Sequence, residues 1–184
     1  GGTISGTSPQ TVQHGANGTT VTAVPNTGYH FTGWSDSVTT AARTDTNVSA
    51  NITVMANFAR NSYTLTYSAG EGGTISGTSP QTVEYGADGS TVTAVPNTGY
   101  HFTGWSDSVT SAARTDTNVS ANITVMANFA RNSYTLTYSA GEGGTISGTS
   151  PQTVQHGANG TTVTAVPNTG YHFTGWSDSV TTAA

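Results

Sequence analysis

Three histidines, His30, His101 and His172, each sit in the heptapeptide Gly-Tyr-His-Phe-Thr-Gly-Trp. Ser35 and Asp36 follow the first of them, so the residue types of a hydrolytic triad stand close together in the chain. A triad needs nucleophile, base and orienting carboxylate to converge in space, not in sequence. No Gly-x-Ser-x-Gly elbow accompanies these residues. A residue between two aromatics on a strand faces the side opposite to theirs, so the histidines read as solvent-facing. Metal chemistry has equally little support. His14 and His156 occupy the position that Tyr85 takes in the middle repeat, and a ligand cannot be exchanged for tyrosine with its chemistry intact. The better account is a surface aromatic position. Asp107, Asp116 and Asn118 could offer oxygens to calcium, but without the D-x-[DN]-x-[DN]-G spacing. The expectation is therefore no catalytic, cofactor-binding or metal-ligating residue, and no cofactor. Asn-x-Ser/Thr triplets at Asn17, Asn47, Asn51, Asn118, Asn122 and Asn159 arise readily from a composition so rich in threonine, serine and asparagine.

The 184 residues include no cysteine and no lysine, and charged residues make up 7%, against about a quarter in ordinary globular chains. Absence of cysteine excludes disulfides and thiolate metal sites. Absence of lysine excludes Lys–Asn isopeptide bonds and Schiff-base chemistry. The net charge is −5 and the four arginines, Arg43, Arg60, Arg114 and Arg131, are dispersed. This argues against nucleic acid, whose affinity rests on clustered cations. No apolar run is long enough to span a bilayer as a helix, so membrane insertion is not expected. Regularly patterned aromatic and β-branched residues argue against disorder.

The residues above are positioned by a repeat. Gly1–Gly6 recurs at Gly72–Gly77 and Gly143–Gly148, a period of 71 residues. The first two copies differ only at Gln13/Glu84, His14/Tyr85, Asn17/Asp88, Thr19/Ser90 and Thr40/Ser111; residues 143–184 match residues 1–42 throughout. Solenoid rungs are shorter, at roughly 20–45 residues. A tandem array of small β-domains follows. Polar Ala-Arg-Asn at 59–61 and 130–132 suggests the junctions. The expected organisation is 1–60 as a partial repeat lacking its first strand, 61–131 as a complete repeat domain, and 132–184 as a partial repeat lacking its last strands. On this phase the sequence reads as a window on a longer array. Further repeats or a neighbouring subunit would supply the missing strands, with Ser62–Tyr67 pairing against another repeat's open edge.

Within 61–131, Tyr63, Leu65 and Tyr67 alternate with threonines, as a half-buried strand requires. Gly70–Gly73 reads as a bulge or bend before Thr74–Ser76 continues the strand. Gln81–Tyr85 and Thr91–Val95 are the next two, joined by a turn at Gly86-Ala87-Asp88-Gly89 of hairpin composition. Tyr100–Trp105 is the fourth, and a bulge at Gly104 would return Trp105 to the face of Tyr100 and Phe102. Ser108–Ala113 suggests a short turn or one helical turn, and Arg114–Val119 an edge strand. Ile123, Val125, Ala127 and Phe129 share one face of the last.

The order Val83-Glu84-Tyr85-Gly86-Ala87, then Val92–Ser106 with its Pro-x-x-Gly-Tyr-x-Phe-x-Gly-Trp core, then Ile123–Phe129, resembles the divergent internalin-type B-repeat, a Listeria–Bacteroides repeat-like tandem module of bacterial surface proteins. The resemblance covers the whole period. It implies an all-β or mostly β fold, β-grasp-like in the better-known branch, in extracellular stalks on the bacterial cell surface. Little helical patterning between Trp105 and Ile123 argues against the grasp helix. The family is defined by repetition and implies no functional residues.

Two functions fit. One is a non-enzymatic structural repeat of a long extracellular surface or fibre protein, acting as spacer, stalk or filament subunit. Its partners would be neighbouring repeats in cis and other subunits of a filament. The alternative is a weak glycan- or protein-binding adhesin module acting by avidity, although no residues build a glycan pocket. The exchange of His14 for Tyr85 favours the spacer, since a binding array would keep its surface aromatic. An enzyme is the most distant reading.

Overall fold

The computed structural model describes residues 1–183. Threonine and β-branched residues suit the pleated, half-buried surface of a sheet, and among the described residues there are sixteen strands and no helix. Residues 1–60 contain β1 (Gly2–Ser5), β2 (Val21–Pro25), β3 (Tyr29–Trp34), β4 (Ala42–Arg43) and β5 (Ala56–Arg60). Residues 61–131 contain β6 (Ser62–Ala69), β7 (Gly73–Ser76), β8 (Gln81–Glu84), β9 (Val92–Pro96), β10 (Tyr100–Trp105), β11 (Ala113–Arg114) and β12 (Ile123–Arg131). The remainder contains β13 (Ser133–Leu136), β14 (Gly144–Ser147), β15 (Gln152–Gln155) and β16 (Thr164–Pro167). The chain is an all-β tandem array of small sheets. It forms two compact units, one of Gly1–Ser68, Ser76–Thr93 and Ala113–Val125, the other of Ala69–Ile75, Ala94–Ala112 and Met126–Ala184.

The middle segment has two sheets, ordered β10-β12-β6-β8 and β11-β9-β7. The chain passes from one sheet to the other at every connection from β6 to β12, and two of these crossings correct the strand reading. Gly70–Gly73 does not let the first strand continue, because β6 pairs with β8 while β7 joins the sheet of β9. The small Gly-rich bend is a corner: Gly72 has φ +90° and the Tyr100 ring lies where its side chain would be. Nor does Gly86–Gly89 close a hairpin, since β8 and β9 lie in different sheets. The loop is tied to the segment after β11 instead. Gly86 and Gly89 donate backbone bonds to Val119 and Asp116, and Val119 donates to Ala87. Those bonds also shorten the expected edge strand, which survives only as β11 against Val92 and Thr93. Residues 106–122 hold no helix; a turn with Ser108 at φ +71° leads out of β10.

The bulge at Gly104 is present. Phe102 pairs with Phe129, Gly104 with Asn128 and Trp105 with Ala127, a register shift of one residue, and Gly104 has φ +144°. Trp105 is thereby turned inward, 2% exposed, and its ring meets Phe102 edge-on at 6.0 Å. The strand Ser62–Tyr67 stays in the segment it opens, paired with Glu84 through Gln81, and is not passed to another repeat's edge. Its Leu65 is fully buried.

Identical sequence behaves differently in the first segment. Ile123–Val125 are strand, whereas Ile52–Val54 are not; Gln152–Gln155 are strand, whereas residues 10–13, of the same sequence, are not. Val92, Val119 and Val125 are buried, while Val21, Val48 and Val54 are half-exposed. Residues 1–60 include no counterpart of β6. The last segment supplies the control: there β13 is present, and β15, the counterpart of β8, forms against it.

Trp105→Ala is expected to cost about 3–5 kcal/mol, comparable with what a core of this size contributes. In denaturant titrations its midpoint should fall sharply, while Thr103→Ala, on the exposed face of the same strand, should match the unaltered chain.

Candidate functional site

The triad residues do not converge. His30 Nδ1 lies 2.9 Å from Asn61 Oδ1. Ser35 Oγ accepts the Met55 N–H, and Asp36 binds the Arg43 guanidinium at 3.0 Å. His172 is exposed. Of the oxygens considered for calcium, those of Asp116 are held by other groups. Asp116 accepts from Arg114 Nη2 at 2.6 Å and from the Tyr67 hydroxyl at 2.6 Å. The Asn118 backbone N–H donates to Asp88 Oδ1 at 2.8 Å. Among the described residues no three His, Cys, Asp or Glu side chains cluster as metal ligands would.

What the repeat does build, twice, is a joint. β5 and β6 are separated by Asn61 alone. The Asn61 N–H donates to Gly28 O at 2.8 Å, and the Tyr85 N–H donates to Asn61 O at 2.8 Å. The Asn61 side chain meets His30. Tyr85 lays its ring over Gly28, filling the space of a Cβ, and Gly28 has φ +80°. Tyr63 flanks the same ring at 6.5 Å. The second joint repeats each contact. Asn132 N–H donates to Gly99 O and His156 N–H to Asn132 O, both at 2.8 Å. His101 Nδ1 lies 2.8 Å from Asn132 Oδ1, and the His156 ring covers Gly99 at φ +82°. Tyr134 flanks it at 6.1 Å.

Arginine completes each joint. Arg60 Nε donates to the Tyr29 hydroxyl at 3.3 Å and its guanidinium stands 5.9 Å from that ring. Arg131 donates to the Tyr100 hydroxyl through Nη2 at 3.3 Å, with its guanidinium 5.6 Å from that ring. Glu84 lies 3.5 Å from Arg60; the second joint has Gln155 there. The pair is exposed and worth little by itself.

Position 85 is thus an inter-repeat contact, not a free surface aromatic as the sequence suggested. The exchange of tyrosine for histidine keeps a flat ring that can lie on a glycine, and this was the available signal. Polarity places Asn61 and Asn132 at the junctions, but not as the residues that pair across them. Their trace is the fixed offset of 31 residues from His30 and His101.

A second cluster lies within the first and middle segments. Arg114, only 8% exposed, grips Asp116 with Nε and Nη2 at 3.1 and 2.6 Å, and its guanidinium stands 5.8 Å from the Tyr67 ring. Burial opposes ionisation of Asp116, but the Arg114 and Tyr67 hydrogen bonds outweigh it and hold the carboxyl below its ordinary range. Burial first, and then the bond to Asp116, pushes the Tyr67 phenol upward. In the first segment Arg43 binds Asp45 at 2.6 Å and Asp36, yet its buried Nε has no partner.

A family model described as the divergent InlB B-repeat domain matches residues 1–62, 63–133 and 134–184, three times in tandem. No solved structure matches the chain.

A carboxylate whose folded pKa is depressed contributes stability above its unfolded value, near 4, and that contribution is lost as pH falls through the folded value. Acid titration should therefore destabilise the middle segment below about pH 4. Asp116→Asn should lower neutral-pH stability by about 1–3 kcal/mol, as loss of one partner of a part-buried charged hydrogen bond does, and flatten the acid limb. Unfolding curves at neutral and acid pH check both.

Proposed function

Because the chain belongs to the divergent InlB B-repeat domain family, we propose that it is a non-enzymatic structural repeat of a long extracellular bacterial surface protein, acting as a spacer or stalk. The observation that carries this reading is the joint built twice from the same bonds. A one-residue connection with both backbone groups paired is not a flexible linker. Near-identical neighbours risk misassembly during folding, and a uniform series of joints is a reason to keep them. The proposed phase places module boundaries at Asn61 and Asn132, giving a partial repeat over 1–60, a complete one over 61–131 and a partial one over 132–184. An adhesin acting by avidity would need its varying aromatic on display. Tyr85 and His156 instead lie against the preceding repeat, which favours the spacer.

The test is the distance across the first joint. The chain has no native cysteine, so Thr32→Cys and Thr82→Cys, both exposed, accept spin labels cleanly. The spacer reading expects a narrow distance distribution that Gly28→Ala broadens, because a Cβ at Gly28 would strike the Tyr85 ring. Gly170→Ala provides the control, with φ +87° but nothing within 4 Å, and should leave the distribution unchanged. A broad distribution in the unaltered joint would refute the stalk reading.

A further inference from the structure

In the first segment the loop before β2 is clamped to the residues after β4. The Gly15 N–H donates to Val48 O at 2.8 Å, the Gly18 N–H to Asp45 O at 2.9 Å and the Val48 N–H to Ala16 O at 3.0 Å. The Asn17 side chain adds a fourth bond, its Oδ1 accepting the Asn47 N–H at 2.9 Å. The middle segment repeats all four. Gly86 donates to Val119 and Gly89 to Asp116, both at 2.8 Å, and Val119 donates to Ala87 at 3.0 Å. Asp88 Oδ1 accepts the Asn118 N–H at 2.8 Å. The clamp therefore belongs to the repeat and forms with or without the strand β6.

Residues 17 and 18 are asparagine and glycine, and the clamp engages both groups through which such a pair modifies itself. In an open chain the glycine nitrogen, once it has lost its proton, attacks the side-chain carbonyl carbon of the asparagine. A C–N bond forms, the side-chain nitrogen leaves as ammonia, and a succinimide ring remains. Water then opens the ring at either carbonyl. One opening gives aspartate. The other gives isoaspartate, whose main chain runs through the former side chain and is longer by a carbon. Glycine allows the attack because it has no Cβ in the way and its backbone reaches the required angles. In the folded segment the Gly18 N–H is tied to Asp45 O, and Asn17 Oδ1 to the Asn47 N–H. Asn17 is exposed to the water that ring opening consumes.

We propose that Asn17 is a self-modification site held off by the clamp: when the loop parts from residues 45–48, the side chain closes on Gly18 and loses ammonia. The middle segment shows which product fits. Asp88 stands at the equivalent position with every bond of the clamp in place, so chains converted to aspartate reclose. Isoaspartate does not, because its extra carbon carries the Gly18 N–H away from Asp45 O. Opening of the loop is thereby recorded in the covalent structure, either as the residue the middle repeat already has or as a loop that stays open. The inference goes beyond the stalk reading and holds whether or not the joints are rigid.

Incubation of the full chain in oxygen-18 water at mildly alkaline pH, followed by peptide mapping, tests it, since each conversion takes an oxygen atom from water. A synthetic peptide of residues 12–22 sets the unclamped rate. Asn17 in the full chain should convert at least about tenfold more slowly, the factor that one or two net hydrogen bonds supply. Gly15→Pro removes one donor of the clamp and forbids the φ of +79° found there, and its rate at Asn17 should approach that of the peptide. The unaltered chain gives a second measure in graded urea: below the unfolding transition, conversion should rise together with exchange of the Gly18 and Val48 amides. Asn17→Asp should keep the parent's unfolding midpoint, whereas the separated isoaspartate product should lose protection at the Gly18 amide. Equal rates in chain and peptide would overturn the proposal. So would conversion that rises only with global unfolding, or a Gly18 amide as protected in the isoaspartate product as in the parent.

Discussion

A strand in the interior of a sheet must be paired on both edges, and one strand decides whether a module of this chain closes. β6 lies between β12 and β8. Its alternation brings Leu65 to full burial and Tyr67 to 4% exposure, and Val92, Val119 and Val125 are buried in the same segment. Where the equivalent strand is missing, the sequences on either side of its place lose their pairing and the valines are half-exposed. Local sequence is the same at 52–54 and 123–125 and differs only by Gln13 for Glu84 in the other stretch. What differs is tertiary pairing, which overrides propensity in strands more readily than in helices.

The few charges follow the same division between module and joint. Arg43 and Arg114 are buried beneath carboxylates inside their modules, and Arg60 and Arg131 are exposed beside the joints. A buried guanidinium needs its fork satisfied. Asp116 and Tyr67 contribute to this in the middle segment, whereas Arg43 Nε goes without a partner. Elsewhere threonine and serine keep the surface polar without charge. The joint relies on geometry: an asparagine carries the backbone pairing across the boundary, and a flat ring lies on a glycine whose positive φ and missing Cβ make room for it.

Much of this was legible in the sequence. The period, the all-β class, the strand alternation of Tyr63–Tyr67 and the Gly104 bulge follow from spacing and composition alone. The corners were not. Gly70–Gly73 and Gly86–Gly89 have the composition of a bend and a hairpin turn, and nothing local says that the chain changes sheets there. The solvent-facing position of His30 and His101 was legible, but their bond to an asparagine 31 residues onward was not, because pairing between repeats has no local signature. The ring at position 85 was visible as a variable aromatic; its glycine partner lies 57 residues earlier in the preceding repeat.

The most direct measurement compares identical residues in two settings. Amide hydrogen exchange in dilute solution can resolve Ile52–Val54 from Ile123–Val125, which share the sequence Asn-Ile-Thr-Val-Met. If two-sided pairing of the first strand closes the module, the amides of 123–125 exchange only through large openings, while those of 52–54 exchange almost as freely as an unstructured peptide. Equal and strong protection at both places would contradict the account, because the strand would then form without the neighbour on which it is said to depend.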